Sequence, residues 1–138
     1  MKRRILIMAV LLVCGAFLLM NCNGEQRVVN RFFKHQSALK EQVYLWEQEG
    51  TLGYTENWKA VNHWGGEHEM VEYLVEGAWD TYRGFYYSPD DVPLAFQNTT
   101  VSLVPAGTKE GWIWTAEGDN RGWTYRLTEK WFYFEAKF

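Results

Sequence analysis

Residues 111–138 read GWIWTAEGDNRGWTYRLTEKWFYFEAKF, and this stretch decides the fold of the chain. Three aromatic-rich runs are separated by two clusters of turn-forming residues. In the middle run Trp123, Tyr125 and Leu127 alternate with Thr and Arg, and a period of two places alternate side chains on one face of a strand. Aromatic residues also suit the pleated surface of a sheet. The stretch therefore predicts three antiparallel strands joined as a meander, at 112–116, 123–127 and 131–138.

The amino-terminal segment has the layout of a secretory signal peptide. Three basic residues at positions 2–4 precede an uncharged apolar run of sixteen residues at 5–20. A membrane-spanning helix usually needs about 20 residues, so the run is short for a span. We therefore predict an exported leader at 1–24, followed by one domain at 25–138.

The end of the apolar run resembles the lipobox of bacterial lipoproteins. Residues 19–22 read Leu-Met-Asn-Cys, with a Leu three residues before the Cys. Lipoproteins usually carry Gly, Ala or Ser where this chain has Asn21. The resemblance implies lipidation of Cys22, whose acyl chains would hold the domain at the membrane. Two alternatives stay open: cleavage after Gly24, which releases a secreted domain, and retention of the run as a membrane anchor.

The domain itself is acidic and contains no cysteine. Residues 25–138 carry 11 Lys and Arg against 17 Asp and Glu, which gives a net charge of −6 with His neutral. Such a domain is a poor candidate for binding nucleic acid or an anionic membrane surface. Both cysteines, Cys14 and Cys22, belong to the leader. Burial of aromatic side chains, rather than disulfides, must therefore stabilise the domain.

An amphipathic helix is predicted from residue 25 to about residue 48. Apolar residues recur there at spacings of three and four, and Gly50 suits a C-terminal cap. The apolar stripe, interrupted by Gln36, consists of Val29, Phe32, Phe33, Leu39, Val43 and Trp46. Because the sheet has an apolar face that needs a cover, we expect the helix to pack across it.

The middle of the chain predicts further strands. Residues 68–75 and 81–87 alternate as strands do, and Val71, Tyr73 and Val75 are expected to face the core. Ser-Pro-Asp-Asp at 88–91 predicts a turn. Three segments are less regular, and we expect an extended segment at 52–64, an edge strand or loop at 92–96, and a brief strand at 101–104. The fold class is therefore α+β, with one N-terminal amphipathic helix packed on an antiparallel sheet of four to six strands.

No catalytic motif is present in the sequence. It contains no G-x-S-x-G, no P-loop and no dinucleotide fingerprint, so we predict no catalytic residue and no cofactor. His63, Glu67 and His68 are weak metal candidates, because imidazole and carboxylate bind zinc. Their spacing matches no established zinc motif, and we predict no bound metal. Clustered carboxylates, among them Glu69 and Glu72, keep open the alternative of glycoside-type hydrolysis.

Aromatic residues are the remaining functional signal, at 17% of the chain. Buried rings stabilise a core, whereas rings exposed on a sheet face can anchor a partner. Both faces of the last predicted strand are aromatic, so either the helix and the loops cover one face each, or one face is open. The residues that an open face would present are Trp112, Trp114, Trp123, Tyr125, Trp131 and Tyr133.

These patterns predict a small extracytoplasmic protein with a non-catalytic binding or inhibitor-like domain. It would use its acidic turns and its aromatic sheet face to contact an envelope protein or a glycan. Its N-terminal segment or a lipid would contact the membrane, and no nucleic acid partner is expected. The alternative is a small cell-envelope hydrolase with a carboxylate or His/Glu centre. A structural role in the envelope is not separable from the first hypothesis on sequence alone.

Overall fold

The computed structural model describes residues 23–53 and 56–138. Within these residues one α-helix and seven strands form an α+β fold, and the strands make one antiparallel sheet in the order β1-β2-β3-β7-β6-β5-β4. The elements are α1 (Gly24–Glu49), β1 (Ala60–Trp64), β2 (Met70–Ala78), β3 (Thr81–Tyr87), β4 (Val104–Pro105), β5 (Trp112–Thr115), β6 (Arg121–Thr128) and β7 (Trp131–Lys137). The predicted lipidation at Cys22 lies outside the described residues. None of the helices in the described ranges is both long and apolar enough to cross a membrane.

The carboxy-terminal meander is confirmed. Strands β5, β6 and β7 pair consecutively, with Trp112 opposite Thr124 and Tyr125 opposite Tyr133. Strand β7 also pairs along its whole length with β3, which joins the meander to β1 and β2. The last strand of the chain therefore occupies the centre of the sheet.

The sheet has seven strands, whereas four to six were predicted. The irregular segments account for the difference. Strand β1 begins only after the buried Trp58, and the predicted strand at 101–104 is reduced to the two residues of β4. Residues 92–96 form a loop that leads into a 3-10 turn at Phe96–Asn98. Strands β1 and β4 are the two edges of the sheet.

Helix α1 crosses one face of the sheet and packs against β2, β3 and β7. Its buried apolar residues are Val28, Phe32, Leu39, Val43 and Trp46. The predicted stripe was wrong at Phe33, which is 51% exposed because it lies about 100° around the helix from Phe32. Val29 is only half-buried, and Val28 takes its place in the core. The predicted cap is confirmed, since Gly50 has φ 72° and its N–H donates to the Trp46 carbonyl at 2.7 Å.

A cluster of rings fills the space between α1 and the sheet, and we call it the helix-side core. The Phe32 ring lies 5.2 Å from that of Phe85 and 5.3 Å from that of Trp131, between centroids. Tyr73 stacks on Phe85 at 5.2 Å, and Trp58 meets the same ring edge-on at 5.1 Å. Because all five side chains are at most 5% exposed, their burial is a large part of the stability of the domain.

The loop between β3 and β4 covers the opposite face, where a second cluster forms the loop-side core. Phe96 packs 5.3 Å from Phe134, between centroids. The Leu94 N–H donates to the buried Tyr86 hydroxyl at 2.8 Å, and this hydroxyl lies 2.8 Å from Thr124 Oγ1. The helix thus covers one face of β7 and the loop covers the other, which is the first of the two arrangements that the sequence left open.

Candidate binding groove on the open part of the sheet

The helix leaves part of its own face of the sheet uncovered. Beyond β7, Trp123 is half-buried, and Ile113 and Val104 are 37% and 49% exposed. Val104 pairs with Ile113, and Ile113 pairs with Trp123. Directly paired residues lie on the same face, so these three side chains form an apolar row across three strands. We call this region, on β4, β5 and β6, the open wing.

A groove of about 230 Å³ lies on the open wing. Trp123 and Ile113 contribute apolar surface to it, and Lys109, Arg121 and Lys137 place three cations around them. This concentration of positive charge is unusual in a domain with a net charge of −6. The groove therefore differs in charge from the rest of the surface.

The indole of Trp123 is held in place on several sides. Its Nε1 donates to the Glu110 carbonyl oxygen at 2.8 Å. Its ring centroid lies 4.9 Å from that of Tyr125 and 5.7 Å from that of Tyr133. The Lys109 Nζ stands 3.6 Å from the ring centroid, in a cation–π contact. The result is a fixed aromatic surface with an ammonium group directly over it.

The charges in the groove do not cancel within the described residues. Glu135, which also lines the groove, pairs with Arg83 at 2.7 Å and with Lys137 at 3.3 Å. Burial alone would raise the pKa of the Glu135 carboxyl, but its hydrogen bond and charge interaction with Arg83, helped by Lys137, hold the pKa below its ordinary value. In residues 23–53 and 56–138, Lys109 and Arg121 have no carboxylate at ion-pair distance. Both remain available to an anionic ligand.

The structure divides the six residues that the sequence offered as a ligand surface. Trp131 and Tyr133 lie in the helix-side core, and Trp114 lies in the loop-side core. Trp112 is half-buried against the loop-side core. Only Trp123 and Tyr125 lie on the open wing, both half-buried. Of the six, Trp114 and Trp123 line the groove, whereas the Tyr125 hydroxyl donates to Glu25 Oε1 of α1 at 2.9 Å.

The cations and the aliphatic residue of the groove were not predicted from the sequence. One signal was present, since Arg121, Trp123 and Tyr125 are spaced by two and must share a face of β6. The register between β6 and β7 pairs Lys137 with Arg121, which places Lys137 on the same face. Lys109 lies in the β4–β5 connection, and nothing in its neighbours' sequence indicates that it folds onto Trp123.

The three metal candidates are not brought together. His63 Nε2 lies 3.5 Å from Glu69 Oε1, whereas His68 Nδ1 lies 2.8 Å from Asp90 Oδ2. Each imidazole thus faces a different carboxylate, and Glu67 is an exposed residue of the β1–β2 connection. Among the residues that the structure describes, no group of three or more His, Cys, Asp or Glu side chains is placed to hold a metal ion.

Glu72 is a buried carboxylate with a structural task. It is 1% exposed, accepts the Gln97 N–H at 2.9 Å and accepts Trp64 Nε1–H at 3.3 Å. Gln97 has a φ of 53°, so the carboxylate holds an unfavourable turn of the covering loop against β2. Burial raises the pKa of Glu72, although the two hydrogen bonds act in the opposite direction.

The raised pKa of Glu72 predicts how stability changes with pH. The folded state favours the protonated carboxyl, so protonation of Glu72 stabilises the fold. This stabilisation is fully present below the pKa that Glu72 has in the unfolded chain, and it is lost as the pH rises through the pKa that Glu72 has in the folded protein. We expect Glu72→Gln to flatten the fall of the free energy of unfolding as the pH rises above about 4.5, with a pH-independent cost of about 1 kcal/mol for the lost acceptor. Urea titrations across this range measure both terms. An unchanged pH slope in the variant would contradict the assignment.

No protein-family model, curated protein or solved structure matches this chain. The geometry and charge of the open wing are therefore the basis for the functional argument.

Proposed function

We propose that this protein is a membrane-anchored, extracytoplasmic and non-catalytic binding domain whose open wing binds an acidic glycan of the cell envelope. The observation that carries the proposal is the Trp123 indole with Lys109 Nζ at 3.6 Å from its centroid, inside a groove that also holds Arg121. An aromatic ring with cations around it suits a ligand that has both an apolar face and a negative charge. A sugar ring bearing a carboxylate has both properties.

The groove suggests how such a ligand would bind. The apolar face of the sugar ring would stack on Trp123, and Lys109 would leave the indole to pair with the ligand carboxylate. The cation–π contact given up at an exposed site is worth about 0.5–1 kcal/mol. A charge-assisted hydrogen bond replaces it, and Arg121 can hold the same carboxylate through two parallel N–H groups.

The overall charge limits the size of the ligand. Three cations line the groove, but the domain as a whole has a net charge of −6. A long polyanion that extends beyond the groove would meet this negative potential, which disfavours binding. The proposed ligand is therefore a short acidic saccharide rather than a nucleic acid or an extended acidic polymer.

The arrangement of carboxylates favours binding over hydrolysis. Cleavage by paired carboxylates needs two such groups across a cleft, about 5–9.5 Å apart. Glu135 lines the groove and is already paired with Arg83 and Lys137. Of the other acids considered as catalytic centres, Glu72 holds the covering loop and Glu69 faces His63.

The groove predicts a preference for acidic saccharides that depends on two residues. We expect Trp123→Ala to lower the affinity for a glucuronic acid disaccharide about tenfold, because it removes the apolar surface that the sugar ring would bury, which is worth about 25 cal/mol per Å². Lys109→Met, which keeps the length of the side chain, should lower affinity about fivefold and remove the preference over the neutral glucose analogue. Calorimetric titrations at two salt concentrations measure both effects, and added salt should weaken the acidic ligand only.

Lys40→Met is the matched control, since Lys40 lies on α1 away from the groove and is exposed. It removes one positive charge without touching the open wing, so both affinities should stay at the wild-type value. Equal binding of the acidic and the neutral disaccharide by the wild type, or no binding of either, would contradict the proposed function.

The anchored state has its own test. The lipobox-like Leu-Met-Asn-Cys and the preceding apolar run support attachment at Cys22 or retention of the run. We expect mass spectrometry of the mature protein to find its first residue at a lipidated Cys22 or the leader still present. An unmodified chain that starts at Glu25 would contradict membrane anchoring and leave the groove unaffected.

A further inference from the structure

One end of the sheet is the end at which the chain enters the domain. Ala78 pairs with Thr81, Thr81 pairs with Lys137, and Lys137 pairs with Arg121, so these strand termini lie side by side. The first residue of α1, Gly24, lies against the side chains of Arg83 and Glu76. These two residues pair with each other two positions before the turn that joins β2 to β3. We call this the leader end, and the opposite end of the sheet the far end.

The two ends differ in charge. The far-end segments are the end of α1 at 47–50 and the connections at 65–69, 88–91 and 129–130. Together they hold seven carboxylates and one cation, Lys130. Counted as far as the Glu76–Arg83–Glu135 register, the leader end holds five cations against six carboxylates: Arg27, Lys59, Arg83, Arg121 and Lys137 against Glu25, Glu76, Asp80, Glu117, Asp119 and Glu135. The acidic character of the domain therefore belongs mainly to the far end, and the leader end, which is close to neutral, repels an anionic surface much less.

Trp79 is an exposed side chain at the leader end. It stands at the tip of the β2–β3 hairpin, is 98% exposed and has a φ of 58°. Two-residue hairpin turns favour Gly or Asn at such a position, and a bulky residue there is unfavourable. The fold gains no burial from this indole and holds an unfavourable backbone for it, which points to a contact outside the domain.

A second exposed ring accompanies Trp79. Phe138 is 48% exposed, and its ring lies 5.7 Å from Tyr82 and 5.5 Å from Phe96, between centroids. Trp79, Tyr82, Phe96 and Phe138 line one shallow depression. Asp80 and Gln97 complete the lining, so the leader end presents a patch of aromatic side chains beside nearly balanced charges.

The sequence before α1 places a membrane near this patch. The apolar run ends at Met20, and four residue steps separate it from Gly24. Four extended residues span at most about 14 Å. Whether the run is retained or Cys22 carries acyl chains, the bilayer surface must lie within that reach of the leader end.

We infer that the leader end docks on the surface of the membrane that holds the leader, with Trp79 and Phe138 among the lipid headgroups and the far end pointing away. The inference rests on the proposed anchoring and does not depend on the saccharide groove. Tryptophan favours the boundary between headgroups and acyl chains, because one part of its ring system is apolar and its N–H is polar. A covalent anchor with a second, aromatic attachment fixes the orientation of the domain and not only its location.

The test uses the full chain labelled with 5-fluorotryptophan and reconstituted in vesicles of phosphatidylethanolamine and phosphatidylglycerol. Trp79→Gly assigns the fluorine resonance of Trp79, and it should fold at least as well as the wild type because Gly accepts a positive φ. A nitroxide on the lipid acyl chains should broaden the Trp79 resonance at least twofold more than those of Trp46 and Trp64, which lie toward the far end. A nitroxide in the water should show the reverse order.

Three results would overturn the inference. If the lipid nitroxide broadens Trp79 no more than Trp46, the leader end does not touch the bilayer. If neither nitroxide reaches Trp79, a protein surface such as a second copy of this chain covers it. If the chain does not float with the vesicles, both the anchoring and the docked orientation are rejected, while saccharide titrations still report on the groove separately.

Discussion

Gly84→Ala is expected to lower the free energy of unfolding by about 3 kcal/mol or more. Gly84 lies in β3 and pairs with Leu74 on one side and Phe134 on the other. An added Cβ would overlap the carbonyl oxygen of Tyr73 and would lie 2.8 Å from Phe134 Cε1. The carbonyl belongs to the backbone of β2, next to an irregularity in the β2–β3 register between Leu74 and Glu76, so it cannot move without disturbing the pairing. Urea denaturation measures the change.

Gly65→Ala is the matched control for this substitution. A Cβ at Gly65 would meet no atom within 4 Å, and its φ is not positive. The same chemical change should therefore alter stability by no more than about 0.5 kcal/mol. Equal stability of the two variants would show that the close approach of β2 to Gly84 is not a feature of the folded protein.

Trp131→Ala is expected to cost about 3–5 kcal/mol, the range for deletion of a large buried aromatic side chain. Trp131 is 2% exposed, and its ring packs 5.3 Å from Phe32 and 5.2 Å from Tyr87, between centroids. It therefore joins α1 to β3 and β7, and its removal leaves a cavity where three elements meet. Loss of the near-ultraviolet circular dichroism of the core, together with a lower denaturation midpoint, would report the effect.

Trp79→Ala removes the same side chain from a position that is 98% exposed. It should change the free energy of unfolding by less than about 0.5 kcal/mol, because no described contact depends on it. A large loss of stability in this variant, or a small one in Trp131→Ala, would contradict the division between a core indole and an external one.

The parts of the fold that the sequence predicted correctly are those with strict alternation. Strand β3 has the predicted bounds, Thr81–Tyr87, and the meander follows from the aromatic runs. The cover on the opposite face could not be predicted, because residues 92–103 have no periodicity. That loop is held by distant partners, the hydroxyl of Tyr86 and the carboxylate of Glu72, and such contacts exist only after the sheet has formed.

Only part of the candidate site could be predicted from the sequence, because its residues too are brought together by contacts between distant segments. Alternation identifies which side chains share a face of a strand, but not which faces another element covers. Trp123 and Trp131 are equivalent by sequence pattern, yet α1 covers Trp131 and leaves Trp123 half-buried beside the groove. The cations come from three segments of the chain, and only the pairing of β5, β6 and β7 brings them together.

The central position of β7 has a consequence for how the protein matures. Before β7 pairs, β3 and β6 each lack one neighbour, and no strand joins β1–β3 to β4–β6. Folding must then wait for contacts between residues far apart in the chain, which makes it slow. Strand β7 is therefore the one strand whose pairing turns two small sheets into a single layer.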